Sequence, residues 1–487
     1  MRRVLARPIL ATAVLTCLVT GVVPGVVPAV APVGAQERPA LSAAARGFVA
    51  VDAPRLALTH VRLIDGTGAA PRDDQTVLVE NGRITAVGAA AGLTIPAGYR
   101  VLDLQGHTLT PGFVGLHEHT YFSATTRTTQ MSTTAPRLYL GLGVTTIRTA
   151  GSMFPYAEIN MKRAIDRGEI AGPRMHITGP YLNGVAGAGG MNRGLATADE
   201  ARRVIAYWGE EGATWLKFSG NVPRAILKAG IDEAHKHGMK VTGHLCSVTF
   251  REAAALGIDD LEHGLITNSD FVPGKQPDVC PPENMRVQVN VDMDGPLVKA
   301  VRDDLLARKV ALTSTLAVYE TFVPGRAKLH PRALEMLAPD TRAEVEAVNA
   351  ALATDDFNVP VALFRKMMRH DVDWVRAGGL LGAGVDPWGT GMLPGFGDLR
   401  NYEILVEAGL TPGEAMQVMT LNGARILGEE REYGSVVPGK RADLVVIRGD
   451  VARTPSAIYD VVTVFKDGVG YDAAKLQESS KGLVGVK

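Results

Sequence analysis

Cysteine is scarce in this chain of 487 residues, which contains only three. Cys246 and Cys280 are the two that follow the N-terminal segment, and two thiols cannot supply the four ligands of a zinc ribbon. Neither stands in a sequence context typical of a nucleophile. The two either form a disulfide or stay buried as free thiols, and the residues alone leave both alternatives open.

Net charge is absent as well, because 51 basic residues balance 51 acidic ones. A neutral chain creates no overall field that would attract nucleic acid or an anionic membrane. The apolar content of 46% provides ample core, and the length suits a barrel of roughly 250 to 400 residues with an accessory module. We therefore expect a globular protein that acts on a small molecule and has no nucleic-acid partner.

The N-terminus has the features of a segment that directs export. Three arginines precede an apolar run between residues 9 and 23, and small residues occupy positions 33–35. This pattern predicts a signal peptide over residues 1–35 and a periplasmic or secreted mature protein. An uncleaved membrane anchor is the alternative, but Pro24, Pro28 and Pro32 interrupt the run before it could span a bilayer. Stable membrane insertion is not expected.

Residues 36 to about 50 are predicted to be a flexible, alanine-rich lead-in, and short strands separated by turn residues follow from Leu56. Asn81-Gly82 joins two of them and is a strong hairpin signal, because both turn positions need positive φ. Two further strands, Asp443–Ile447 and Val461–Lys466, are predicted near the C-terminus. We expect these C-terminal strands to return to the N-terminal β module.

Between these segments, short apolar runs alternate with helical periods. Thr197 and Glu200 form a capping-box pattern at the start of one helix. Eight β/α alternations favour a closed parallel barrel, in which functional residues gather at the carboxyl ends of the strands. The predicted strands are Phe113–His119, Val144–Thr149, Arg174–Thr178, Trp215–Ser219, Lys240–Leu245, Asp260–His263, Val310–Thr315 and Leu380–Asp386.

A His-x-His motif ends the first of these strands. His117 and His119 project to the same face of the strand, whereas Glu118 projects to the opposite face. Two imidazoles on one face can hold a metal ion, although the motif alone is common by chance. Four more candidate ligands lie at the ends of the fourth, fifth, sixth and eighth strands: Lys217, His244, His263 and Asp386. Scattered core residues have no reason to fall at one rim, so the joint pattern predicts a metal site.

These features resemble the amidohydrolase superfamily of metal-dependent hydrolases. The lysine on the fourth strand and the Glu262-His263-Gly264 element are most similar to the imidazolonepropionase-like and prolidase-like branch. Pro111-Gly112 before the His-x-His motif and the closing stretch at residues 438–444 extend the resemblance over nearly the whole mature chain. It implies an α/β fold: a distorted (β/α)8 TIM barrel over residues 111–428, with a small β-sandwich built from residues 36–110 and 429–487.

The resemblance also implies a ligand set for two divalent metal ions. His117 and His119 would bind the more buried ion and His244 and His263 the more exposed one. Lys217, carboxylated by carbon dioxide, would bridge the two, because a carbamate supplies two anionic oxygens where an ammonium supplies none. Asp386 would complete the buried site. Zinc is the first expectation, with manganese, cobalt or iron as alternatives.

The activity implied is hydrolysis of a C–N bond in an amide, peptide or cyclic amide, such as an N-acyl amino acid or dipeptide. Metal-activated hydroxide would attack, with Asp386 as the proton shuttle. An esterase or lactonase on the same centre, or a metal-poor binding protein without activity, is the alternative. A homo-oligomer is compatible with the sequence.

Substrate-contacting residues are not determined by the sequence. Arg148, Tyr181, Arg193 and Tyr319 follow barrel strands, and each serves equally well as a loop anchor. The proline-rich stretch between residues 270 and 294 is a candidate for one wall of the pocket.

Overall fold

The computed structural model describes residues 38–486, apart from 125–126, 327–328 and 353–358. The predicted signal peptide, residues 1–35, lies outside the described residues. Within them, no helix is both long enough and apolar enough to cross a membrane.

The strands alternate with helices through most of the chain, as the sequence predicts. The strands are β1 Val49–Val51, β2 Arg55–Leu63, β3 Arg72–Glu80, β4 Arg83–Ala89, β5 Arg100–Asp103, β6 His107–Pro111, β7 Phe113–Glu118, β8 Tyr121–Ser123, β9 Thr128–Gln130, β10 Val144–Thr149, β11 Arg174–His176, β12 Tyr181–Gly184, β13 Asn192–Leu195, β14 Trp215–Phe218, β15 Lys240–Gly243, β16 Asp260–Glu262, β17 Ala311–Ser314, β18 Leu381–Ala383, β19 Leu444–Arg448, β20 Val461–Lys466 and β21 Val469–Asp472.

The helices pack mainly around the central sheet. They are α1 Ala43–Arg46, α2 Thr134–Gly141, α3 Pro155–Asp166, α4 Ala198–Glu210, α5 Arg224–Lys236, α6 Phe250–Leu256, α7 Asn284–Gln288, α8 Pro296–Ala307, α9 Leu316–Glu320, α10 Pro331–Met336, α11 Pro339–Leu352, α12 Val361–Arg376, α13 Phe396–Ala408, α14 Pro412–Gln417, α15 Gly423–Leu427 and α16 Ala473–Glu478.

Eight parallel strands form the barrel, in the order β7, β10, β11, β14, β15, β16, β17 and β18. It closes where Ala383 of β18 pairs with Gly115 of β7. Strand β14 is joined to the residue that follows β11 by a hydrogen bond, in which Trp215 N donates to Ile177 O at 3.2 Å. The strands β12 and β13 continue the sheet beside β14 and distort the circle. The predicted distorted (β/α)8 barrel is therefore confirmed.

Each of the eight predicted strand segments contains an observed strand. β10 has the predicted bounds, whereas the other seven observed strands end earlier than predicted. The strand observed within the predicted range 380–386 is β18, and the strand observed within the predicted range 260–263 is β16. The cause is local, because His263 and Asp386 have left-handed backbones with φ of 68° and 48°. Both residues turn the chain at the rim instead of extending the strand.

The β-rich module draws strands from both ends of the chain into one nine-stranded sheet. The C-terminal strand β19 pairs antiparallel with β6, with Val445 opposite Thr110. On its buried side, Leu58, Val61, Leu444 and Phe465 belong to a hydrophobic cluster separate from that of the barrel. The module predicted from the two ends of the chain is confirmed, whereas the domain boundaries at residues 110 and 428 stay a prediction.

Cys246 and Cys280 form a disulfide, which resolves the alternative that the sequence leaves open. Cys246 follows β15 and Cys280 lies in the long loop after β16, 34 residues along the chain. The bond fastens this loop to the carboxyl end of the barrel. Both cysteines line the cavity described below.

Candidate metal centre

The carboxyl ends of the barrel strands surround a cavity of about 630 Å³. All six residues proposed as ligands from the sequence line it: His117, His119, Lys217, His244, His263 and Asp386. Parallel strands place their carboxyl ends at one mouth of a barrel, which explains how His119 and Asp386, 267 positions apart in the sequence, come into contact.

Two histidines of the first strand face the aspartate of the last. His119 Nε2 lies 3.1 Å from Asp386 Oδ1, and His117 Nε2 lies 3.6 Å from the same oxygen. One ligand atom from each of the three residues falls within 4.8 Å of the others. Two nitrogens and a carboxylate oxygen at this spacing suit a divalent metal ion.

The other three candidate ligands adjoin this cluster. Lys217 Nζ is 3.1 Å from His117 Nε2. The ring of His263 is centred 4.6 Å from that of His117 and 4.5 Å from that of His244. His263 Nε2 is buried and has no hydrogen-bond partner among the described residues. A buried imidazole nitrogen without a hydrogen-bond partner is suited to binding a metal ion.

The Nδ1 atoms of His117 and His263 already have hydrogen-bond partners. His117 Nδ1 lies 2.7 Å from a carboxylate oxygen of Glu262, and His263 Nδ1 lies 2.7 Å from the hydroxyl of Thr315. Such contacts hold the ring and its tautomer, and they leave Nε2 directed at the centre. The donor set and its supporting contacts therefore fit the divalent metals that the sequence predicts.

Burial sets the protonation states of the site. It lowers the pKa of His244 to about 4 and holds the pKa values of His117 and His263 well below their usual range. Burial also acts to raise the pKa of Asp386, but its interactions with His117, His119 and Lys217, including the hydrogen bond to His119, outweigh burial and keep that pKa below its ordinary value. Neutral imidazoles and an ionised carboxylate are the forms that bind metal ions.

Comparison with known proteins agrees with this geometry. The sequence pattern of the amidohydrolase family matches residues 108–470. The chain belongs to the amidohydrolase family. This amidohydrolase is 23% identical to the imidazolonepropionase of Pseudomonas paraeruginosa over 353 residues, which cover 71% of the chain and 80% of that relative. It is 24% identical to the enamidase of Eubacterium barkeri over 386 residues, 76% of the chain and 81% of the relative.

Solved structures show the same fold. A Bifidobacterium longum protein named as a prolidase matches the amidohydrolase with a TM-score of 0.62 and 25% identity, over 88% of this chain and 98% of that one. A Xaa-Pro dipeptidase with bound methionine matches with a TM-score of 0.63 and 18% identity, over 86% of this chain and 100% of that one. The resemblance to the imidazolonepropionase-like and prolidase-like branch is confirmed, and the chain is a hydrolase that acts on C–N bonds.

Of the four side chains that the sequence offers for substrate contact in this amidohydrolase, two line the cavity and two do not. Tyr181 and Tyr319 line the cavity, and the Tyr181 hydroxyl lies 3.2 Å from His119 Nε2. Arg193 lines a different surface groove, and its guanidinium lies 3.5 Å from Glu200. Arg148 is fully buried beneath the site, so it is not available to a ligand in the cavity.

Arg148 instead belongs to a buried polar network in the barrel interior. Its guanidinium donates to Asp260 and Glu262, each at 2.7 Å, and to the carbonyl of Leu116 at 2.7 Å. Glu262 also accepts from the Thr242 hydroxyl at 2.6 Å. The network fixes the carboxylate that in turn holds His117. Sequence reasoning missed this role of Glu262, although its spacing from Asp260 indicates that both project to the same face of β16.

We expect Glu262→Gln to weaken metal affinity by roughly 10- to 100-fold, because a neutral amide accepts the His117 Nδ1–H bond more weakly than a carboxylate does. Competition with a chromophoric zinc chelator measures the change. Asp260→Asn is the matched control, since Asp260 contacts Arg148, Thr242 and Thr313 but no ligand histidine among the described residues. Equal losses of affinity in both variants would limit the role of Glu262 to supporting the fold.

Proposed function

We propose that this amidohydrolase is an exported enzyme that hydrolyses a C–N bond in an amide, peptide or cyclic amide at a two-metal centre. The observation that carries the proposal is the convergence of buried, neutral imidazoles, Lys217 and ionised Asp386 in one cavity. The relatives named as a prolidase, a dipeptidase and an enamidase support a C–N bond as the target.

We assign the candidate ligands to two groups, one for each ion. His117, His119 and Asp386 would hold one ion, and His244 and His263 would hold the other. Lys217 lies within 3.1 Å of His117 Nε2, with no carboxylate in ion-pair distance among the described residues. Its amine would add to carbon dioxide, forming an N–C bond and releasing one proton. The resulting carbamate would offer two anionic oxygens as metal ligands, and its negative charge would offset that of the cations.

When bound, the ions would supply Lewis-acid activation of a water molecule and of the scissile carbonyl. Asp386 accepts the proton that the water loses as its oxygen adds to the carbonyl carbon. The same carboxyl then delivers this proton to the departing nitrogen as the C–N bond breaks, leaving a carboxylic acid and an amine. Glu262 and Thr315 hold His117 and His263 in place throughout.

Metal removal tests the two-metal proposal. Purified enzyme should contain two ions per chain, lose its hydrolytic activity on dialysis against a chelator, and regain it with zinc or manganese. Paired amide and ester substrates with the same acyl group distinguish an amidase from an esterase. Fewer than one ion per chain, with no activity restored by added metal, would favour a binding protein instead.

Export is tested by the N-terminus of the mature protein. Cleavage after Ala35 should leave Gln36 as the first residue of protein recovered from the periplasm or the medium. Mass spectrometry of the N-terminal peptide gives the answer directly. A chain recovered only with its first 35 residues attached would contradict cleavage and support the membrane-anchor alternative.

A further inference from the structure

The cavity differs in character between its inner end and its outer wall. The inner end is the metal centre described above. The outer wall is the rest of the described lining. Its side chains are uncharged and include Asn183, Met191, Asn192, Ile266, Met285 and Trp388. Among the described residues that line the cavity, formal charge is confined to the metal centre. A substrate therefore meets an apolar and amide surface once it extends beyond the reacting bond.

Three cationic side chains that adjoin lining residues, in the part of the chain that the structure describes, have partners elsewhere. Arg193 faces the separate groove formed with Tyr156 and Tyr207. Lys275, in the loop after β16, donates to Ser247 O at 2.6 Å. Arg224 pairs with Asp278 at 3.0 Å. None of the three lines the cavity.

Asn192 brings an unpaired polar atom to the outer wall. Its side-chain oxygen is buried and has no hydrogen-bond partner among the described residues. Asn183, by contrast, is committed to the wall itself, because it accepts from Asn221 N at 2.9 Å and donates to Gly187 O at 3.2 Å. A primary amide such as that of Asn192 offers either an acceptor or a donor to a neutral partner.

These observations concern the substrate class, so the inference rests on the proposed function. We propose that the substrate is an uncharged amide, aliphatic or aromatic beyond the scissile bond, with a neutral polar group that hydrogen-bonds to Asn192. Apolar side chains of the outer wall gain from contact with such a molecule. A free carboxylate placed there would lose its hydration, and no cationic side chain of the described outer wall would replace it. The enzyme should thus discriminate against N-acyl amino acids and dipeptides, which carry that charge.

A matched pair of compounds tests the proposal. N-benzoyl-phenylalanine and its C-terminal carboxamide share the same scissile bond and differ in one charge. Benzoate release by zinc-loaded enzyme should show a kcat/KM at least tenfold higher for the carboxamide. Calorimetry with the Asp386→Asn variant should show the same preference in binding. Preference for the carboxylate, equal treatment of the two, or binding of neither would overturn the inference.

The same measurements separate this inference from the proposed function. If the zinc-loaded enzyme releases no benzoate but the Asp386→Asn variant still binds the carboxamide more tightly, the hydrolytic proposal fails and the neutral pocket stands. If both compounds are hydrolysed and the carboxylate is preferred, hydrolysis stands and the neutral pocket fails.

Substitutions at Asn192 test the proposed contact. Asn192→Ala should weaken carboxamide binding about fivefold, the usual effect of one lost hydrogen bond. Asn192→Asp keeps the size of the side chain and should widen the preference for the carboxamide by repelling the carboxylate. Arg193→Ala is the control and should leave both affinities unchanged. Loss of binding specifically for the carboxylate in Arg193→Ala, or unaltered binding in both Asn192 variants, would overturn the assignment.

Discussion

Lys217→Ala should lose at least one bound metal ion per chain and reduce kcat/KM on the order of 10³-fold or more. The side chain lies 3.1 Å from His117 Nε2 in the cavity that His244 and His263 also line, and alanine leaves no group there that could bridge two cations. Metal analysis by mass spectrometry and steady-state kinetics on the same sample measure the two effects together.

Lys299→Ala is the matched control for this substitution, because Lys299 is an exposed residue of α8. It should retain both metal ions and full turnover. Added acetate supplies two carboxylate oxygens and should restore part of the activity of Lys217→Ala. Full metal content and full turnover in Lys217→Ala would show that the bridging assignment is wrong.

Asp386→Asn should lower kcat by roughly 10² to 10⁴ while most of the metal remains bound. The amide keeps an oxygen ligand near His119 but cannot accept a proton at neutral pH. A fall in kcat with little change in substrate affinity would locate the loss in the chemical step. Calorimetry with an uncleaved substrate measures the affinity separately.

Asp373→Asn is the control for the aspartate, since Asp373 lies on α12 and pairs with Arg369 at 3.2 Å. It should behave like the unaltered enzyme. Acetate should not rescue Asp386→Asn, because that variant has no vacant space for a second carboxylate. Turnover close to that of the unaltered enzyme in Asp386→Asn would rule out Asp386 as the proton carrier.

Local patterns predicted much of the architecture. Asn81 and Gly82 have φ of 47° and 79° and join β3 to β4, as their preference for positive φ indicates. At the start of α4 the capping box forms only in part. Thr197 accepts from Glu200 N at 3.1 Å, but the Glu200 carboxylate accepts from Ala196 N rather than from the cap residue. Such signals depend on neighbours within a few residues, which is why they can be found without a fold.

The candidate metal centre likewise depends partly on local sequence patterns and partly on contacts between distant segments. The periodicity of β7 was enough to put His117 and His119 on one face. The direction of Glu262 toward His117, the burial of Arg148 and the pairing of Cys246 with Cys280 all depend on contacts across the barrel. Nothing in the neighbourhood of any one of these residues along the chain identifies its partner.

By itself, the sequence determined the number and order of the barrel strands and which polar residues lie at their carboxyl ends, because both follow from hydrophobic periodicity along single segments. Only the tertiary structure decided how those residues face one another. Closure of β18 on β7 and the left-handed backbones of His263 and Asp386 bring the side chains into one cavity. These are long-range constraints, satisfied only when the entire barrel has packed.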